Sequence, residues 1–107
     1  MQQKCYWPLD DNNILQFDIY DTCANLPKTA GIYIFAYRKD GDTWKAKYVG
    51  QADDFSFCIP RDSNLNKARN NIDIRIHILE LDQACDRAEY VEKLIYSLRP
   101  IMNILEA

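Results

Sequence analysis

No stretch of about 18 apolar residues occurs anywhere in the 107 residues, so no segment is built to cross a bilayer as a helix. The opening stretch MQQKCYWPLDD lacks the apolar centre of a secretory signal, which makes the cytoplasm the expected location. Histidine occurs once, at His77, and the four cysteines, Cys5, Cys23, Cys58 and Cys85, form no Cys-x-x-Cys pair. A Cys/His zinc centre therefore lacks its ligand set. In a reducing compartment these cysteines read as small buried hydrophobes. A basic excess is missing too: the formal net charge is −3 and the pI about 5.0. A domain that lives by phosphate contacts is usually basic, so the balance disfavours strong non-specific binding to nucleic acid. A local basic patch stays open at Arg38, Lys39, Lys45 and Lys47, beside the plainer reading of a solvated charged ladder. Internal repeats and low-complexity tracts are absent. Apolar content of 48% and charged content of 27% are ordinary, and the length suits one core, so residues 1–107 are expected to form a single domain.

The richest stretch is LPKTAGIYIFAYRKDGDTWKAKYVGQADDF. Two apolar runs, Ile32 to Arg38 and Thr43 to Val49, flank Lys39-Asp40-Gly41-Asp42, and Asp-Gly between β-rich runs predicts a hairpin turn. Ile32, Ile34 and Ala36 alternate with Tyr33, Phe35 and Tyr37, while Trp44, Ala46 and Tyr48 share a face of the second run. Large apolar groups on both sides predict a sheet covered on both faces. Before the hairpin, residues 1–25 carry eight large apolar side chains, from Tyr6 to Tyr20, among Asp and Asn. Asp10-Asp11-Asn12-Asn13 reads as a turn or helix cap ahead of a short element near 13–20, the whole forming an arm packed across the sheet.

After the hairpin, Asp53 or Asp54 caps a short helix over about 54–59, and Pro60 stops it. Asp62 or Ser63 caps a second helical piece that Asn70-Asn71 ends. Ile72, Ile74, Ile76 and Ile78 alternate with Asp73, Arg75, His77 and Leu79, which predicts a third strand. Asp82 then caps a closing helix whose apolar stripe is Ala84, Ala88, Val91, Leu94, Ile95 and Leu98. Pro100 ends it, and Asn103-Ile104-Leu105 folds back along the body. The expected fold is α+β: a small three-stranded antiparallel sheet flanked by helices.

Gly31-Ile32-Tyr33 and Tyr48-Val49-Gly50, at the start of one strand and the end of the next, resemble the two name motifs of the GIY-YIG nuclease superfamily. Leu26-Pro27, Gln51-Ala52-Asp53-Asp54-Phe55, Leu94-Ile95, Pro100 and Asn103 extend the resemblance over residues 26–105. The resemblance implies metal-assisted phosphodiester hydrolysis. Tyr33 and Tyr48 would position the attacking water, an arginine on the first helix would hold the phosphate, a glutamate on the closing helix would carry the divalent metal, and Asn103 would support the site. An oxyanion calls for a fixed cation, and Mg²⁺ for a carboxylate. Two positions depart from the pattern: the arginine position falls on Cys58 and the glutamate position on Val91. Arg61, beyond Pro60, and Glu92, beside Val91, are the substitutes at hand, with Glu89 facing away from the stripe.

The resulting expectation is a GIY-YIG-type domain that has lost catalysis and serves as a binding module for nucleic acid or protein, with no cofactor and no membrane contact. The alternative is an active endonuclease dependent on Mg²⁺ or Mn²⁺, in which Arg61 and Glu92 have taken over and Glu92 holds the metal. A structural or inhibitory partner, marked by a large exposed apolar patch, is a third class.

Overall fold

The computed structural model describes residues 3–38, 43–69 and 73–105. Its strands are β1 (Lys4–Pro8), β2 (Ile14–Asp21), β3 (Gly31–Tyr37), β4 (Lys45–Ala52) and β5 (Ile74–Glu80). Short helices α1 (Phe55–Cys58) and α2 (Ser63–Ala68) lie between β4 and β5, and α3 (Ala84–Leu98) and α4 (Ile101–Leu105) close the chain. The strands run in the order β1-β2-β5-β3-β4 with every neighbouring pair antiparallel. The sheet curls into a half barrel around α3, the one main helix.

This overturns the three-stranded sheet expected from the sequence. The three anticipated strands are present as β4-β3-β5, but the N-terminal residues do not pack across them. They extend the sheet, with β2 pairing along β5 from Asp18↔Ile78 to Asp21↔Arg75. The physical reason is period two. Cys5, Trp7 and Leu9, then Leu15, Phe17 and Ile19, point inward, while Lys4, Tyr6, Gln16 and Asp18 alternate outward. Asp10 to Asn13 is the hairpin turn and not a helix cap: the Asp10 carboxylate accepts from Asn12 N and Asn13 Nδ2, each at 2.9 Å. The Lys39-Asp40-Gly41-Asp42 turn, Asn70-Asn71 and Ile72 lie outside the described residues.

The alternation of β3 splits the core in two. Tyr33 and Phe35 join Ile74, Ile76 and Ile78 of β5 under Phe55, Ile59, Leu65 and Ala68 from the α1–α2 side. Ile32, Ile34 and Ala36 join Trp7, Leu9, Phe17 and Val49 against Leu94 of α3. On β4 the expected common face of Trp44, Ala46 and Tyr48 is broken by a bulge. Phe35 opposes Tyr48 and Ala36 opposes Ala46, so Lys47 is the extra residue and Tyr48 crosses to the Phe35 side.

Helix ends follow local chemistry. Asp54 accepts from Ser56 N to cap α1, and Asp62 accepts from Asn64 N to cap α2. The first residue outside α3 is Gln83, with no side-chain cap, instead of the expected Asp82. Buried Arg87 fastens this corner, donating to Leu81 O at 3.0 Å and Asp82 O at 2.7 Å. Ala84 and Ala88 are exposed, so the inward stripe of α3 is Arg87, Tyr90, Val91, Leu94, Ile95 and Leu98. Arg99 takes a left-handed conformation (φ 51°) to turn the chain into Pro100 and α4. The cysteines depart from expectation as well: Cys5 and Cys58 are half-buried, and Cys23 and Cys85 are exposed. No helix of the described residues is long and apolar enough to cross a membrane.

Candidate functional site

Tyr33 and Tyr48 stand on one face of the sheet with ring centroids 6.4 Å apart, and the Phe35 ring lies 5.2 Å from Tyr33 and 5.8 Å from Tyr48. Tyr33 is 5% exposed, and its hydroxyl donates to Asp62 Oδ2 at the start of α2. Burial first, then the Asp62 carboxylate that accepts its proton, holds the Tyr33 phenol far above the ordinary tyrosine range. A phenol held this way keeps its proton, so it is no base toward water.

The motif glycines make this packing possible. Gly50 is the cross-strand partner of Tyr33, and a Cβ there would stand 2.5 Å from Tyr33 Cζ and 2.6 Å from its hydroxyl. At Gly31 a Cβ would stand 2.0 Å from Leu79 O and 2.6 Å from Phe55 Cζ. Both glycines thus admit close neighbours across the sheet.

The other residues singled out from the sequence divide between the two faces. Cys58 packs on the tyrosine cluster, and its thiol donates to Asp53 Oδ1 at 3.4 Å. Arg61 does not join that cluster. It is exposed, donates from Nη1 to Phe57 O at 2.9 Å, and lies 3.9 Å over the Phe57 ring. Val91 packs on the opposite face with Ile32, Ile34 and Leu94. Glu89 and Glu92 are exposed beside the Asp10–Asp11 turn, on the α3 side. The geometry therefore brings Tyr33, Tyr48 and Cys58 together and leaves Val91, Glu89 and Glu92 across the sheet. Asn103 serves the edge of β4: its Oδ1 accepts from Val49 N at 2.8 Å and its Nδ2 donates to Val49 O at 2.9 Å. Of the basic residues, Arg38 lies 4.4 Å over the Trp44 ring and Lys47 donates to Ala68 O at 3.2 Å. Lys45 is exposed, and Lys39 lies outside the described residues.

The residues beside the tyrosines do not fit the divalent cation that the resemblance implies. Asp62 is engaged by Tyr33 and by Asn64 N, Asp53 is engaged by Cys58, and among the described residues no three His, Cys, Asp or Glu side chains converge as a metal would require. Asp62 is the site residue that the sequence reading missed. It read only as a helix cap, and nothing in its separation from Tyr33 ties the two together.

The opposite face holds a second buried polar group. His77 is fully buried, accepts from Trp7 Nε1 at Nδ1 (2.9 Å) and meets the Trp44 ring edge-on at 4.8 Å. Burial, with a smaller push from Arg38, lowers its pKa to about 3, so the ring is neutral. Because Nδ1 accepts, the proton sits on Nε2, which has no hydrogen-bond partner among the described residues. Comparison with family models, with curated proteins and with solved structures returned no match.

Proposed function

We propose that this chain is a degenerate relative of the GIY-YIG nucleases that has lost nuclease chemistry and works as a binding module on its five-stranded half-barrel, and that its partner is a protein. The carrying observation is the Tyr33–Asp62 hydrogen bond. The tyrosine that would handle water is buried, protonated and held by a carboxylate. That carboxylate would also repel the phosphate that a nuclease must approach. The positions that would supply a cation and a metal carboxylate are Cys58 and Val91, and Val91 belongs to the other face. The acidic balance of the chain favours protein over nucleic acid as the partner. An active enzyme using Arg61 and Glu92 gains no support from their positions, one stacked on Phe57 and the other on the outer side of α3.

Incubation with supercoiled plasmid and with single- and double-stranded oligonucleotides, in Mg²⁺ and in Mn²⁺, is expected to give no cleavage above background. Restoring the family residues by Cys58→Arg with Val91→Glu should not help, since the two groups would emerge on opposite faces. Metal-dependent cleavage by the native chain, abolished by Arg61→Ala or Glu92→Ala, would overturn the proposal.

A further inference from the structure

Among the described residues no element packs over the outward side of α3, which forms one wall of a groove. Leu9, Asp10 and Asp11 of the β1–β2 turn make the other wall, opposite Glu89, Glu92, Lys93, Tyr96 and Ser97, and the space between them is about 720 Å³. Ser97 Oγ donates to Pro8 O at 3.0 Å and ties one end of the helix wall to the hairpin. Four carboxylates against one ammonium leave the groove with an excess of three negative charges, equal to the formal net charge of the whole chain, −3. Asp10 is engaged in its own turn. Asp11, Glu89 and Glu92 are exposed and form no ion pair; among the described residues the ion pairs are Lys4–Asp18 and Arg75–Asp73. Tyr96 is 78% exposed at the rim, the most exposed large apolar side chain among the described residues.

We infer that this groove docks a cationic protein segment, one bearing arginine or lysine. The inference rests on the reading of the chain as a protein-binding module and names the surface that does the binding. Three free carboxylates around one concave surface attract a polycation and orient it, and charges of one sign with no internal partner are the pattern that complementarity across an interface requires. Tyr96 adds a flat aromatic face over which a guanidinium stacks, and Leu9 gives the aliphatic stem an apolar floor. A polyanion would be repelled from the same surface.

The test uses the full chain and a fluorescein-labelled peptide of alternating arginine, lysine and glycine, followed by anisotropy at low and high salt, with amide NMR shifts to locate the contact. Binding should weaken as salt rises, and the shifts should fall on residues 9–11 and 89–97. Glu89→Gln with Glu92→Gln should weaken binding about tenfold, whereas Asp21→Asn with Glu80→Gln, an equal charge change elsewhere, should leave it within about twofold. Tyr96→Ala should cost about threefold without changing the salt dependence, which separates stacking from charge. Equal loss in the two double variants, shifts centred elsewhere, or preferential binding of an oligonucleotide at this groove overturns the inference. Nuclease activity in the native chain would instead overturn the binding-module reading, and that assay is independent of the groove.

Discussion

The two faces of the sheet each bury one titratable aromatic group, and they handle it in opposite ways. Tyr33 lies under two short helices, and its hydroxyl has a carboxylate partner. His77 lies in the α3-filled hollow, and one of its nitrogens has a partner while the other has none among the described residues. The first group sits where a helix N-terminus delivers Asp62; the second sits between two tryptophans that can offer one N–H and two ring surfaces. A buried polar group is tolerable when hydrogen-bonded and costly when it is not. Tyr33 is therefore a satisfied buried polar group, and His77 is a point of tension held by the packing around it.

The sharpest way to break this comparison is at Trp7. Trp7→Ala removes a buried indole and the donor to His77 Nδ1, and should cost about 4 kcal/mol in urea unfolding at neutral pH. Trp7→Phe keeps most of the volume and should cost roughly 2 kcal/mol, mainly the unsatisfied nitrogen. Tyr33→Phe, by contrast, frees an Asp62 that retains Asn64 N and should cost about 1 kcal/mol or less. If Trp7→Phe proves as mild as Tyr33→Phe, the hydrogen bond to His77 contributes little and the asymmetry between the faces fails.

Titration should pull the faces apart from opposite ends of the pH scale. The His77 pKa is about 3 in the folded chain against 6.5 for the unperturbed side chain. Between those values the unfolded chain binds a proton that the folded chain refuses, so stability falls as pH drops, by roughly 3 kcal/mol between neutrality and pH 4 from this group. Tyr33 is raised, so its folded form keeps a proton that the unfolded chain sheds above pH 10, and stability falls as pH rises past that point. Denaturant unfolding of His77→Leu should show a flattened acid limb, and Tyr33→Phe a flattened alkaline one. An acid limb unchanged by His77→Leu would assign acid sensitivity to the carboxylates instead.

Much of this contrast was legible in the sequence, but unevenly. The alternation of Ile74, Ile76 and Ile78 placed β5, and that of Ile32 to Tyr37 placed β3, because apolar groups on a fixed period leave no other way to bury them. The same period ran through Leu15, Phe17 and Ile19, yet Asp10-Asp11-Asn12-Asn13 ahead of them read equally as a turn or a helix cap before a short element, and so two strands were missed. Tyr33 with Tyr48 emerged as a pair from the motif. Asp62 did not, because its second role depends on α2 folding back over β3, a long-range event that no local pattern encodes. Val91 read as core, which it is, but which face of the sheet it covers is set by how α3 crosses, and spacing along a helix is silent on that.

A smaller test sharpens the role of the tyrosine-face glycine. Gly50→Ala forces a methyl into the space held by the Tyr33 ring and should displace its hydroxyl from Asp62, costing roughly 2 kcal/mol. The same variant in a Tyr33→Ala background should cost less than in the native chain, since the ring that collides is gone. Equal costs in both backgrounds would trace the glycine requirement to the backbone and not to the ring.

A further local effect is expected at the rim where the two faces meet. β4 is an outer strand, and Asn103 satisfies the N–H and C=O of Val49 just as a neighbouring strand would. Through this contact α4 bends around the sheet edge and sets Met102 against the tyrosine cluster while α3 stays on the other face. Asn103→Ala should lower stability by about 1–2 kcal/mol and speed hydrogen exchange of the Val49 amide selectively. Asn103→Asp keeps the acceptor but sets an oxygen against the Val49 carbonyl, and should be no better than alanine. If Val49 exchange is unchanged in both variants, the side chain is not what closes the edge, and the position of α4 must come from Met102 packing alone.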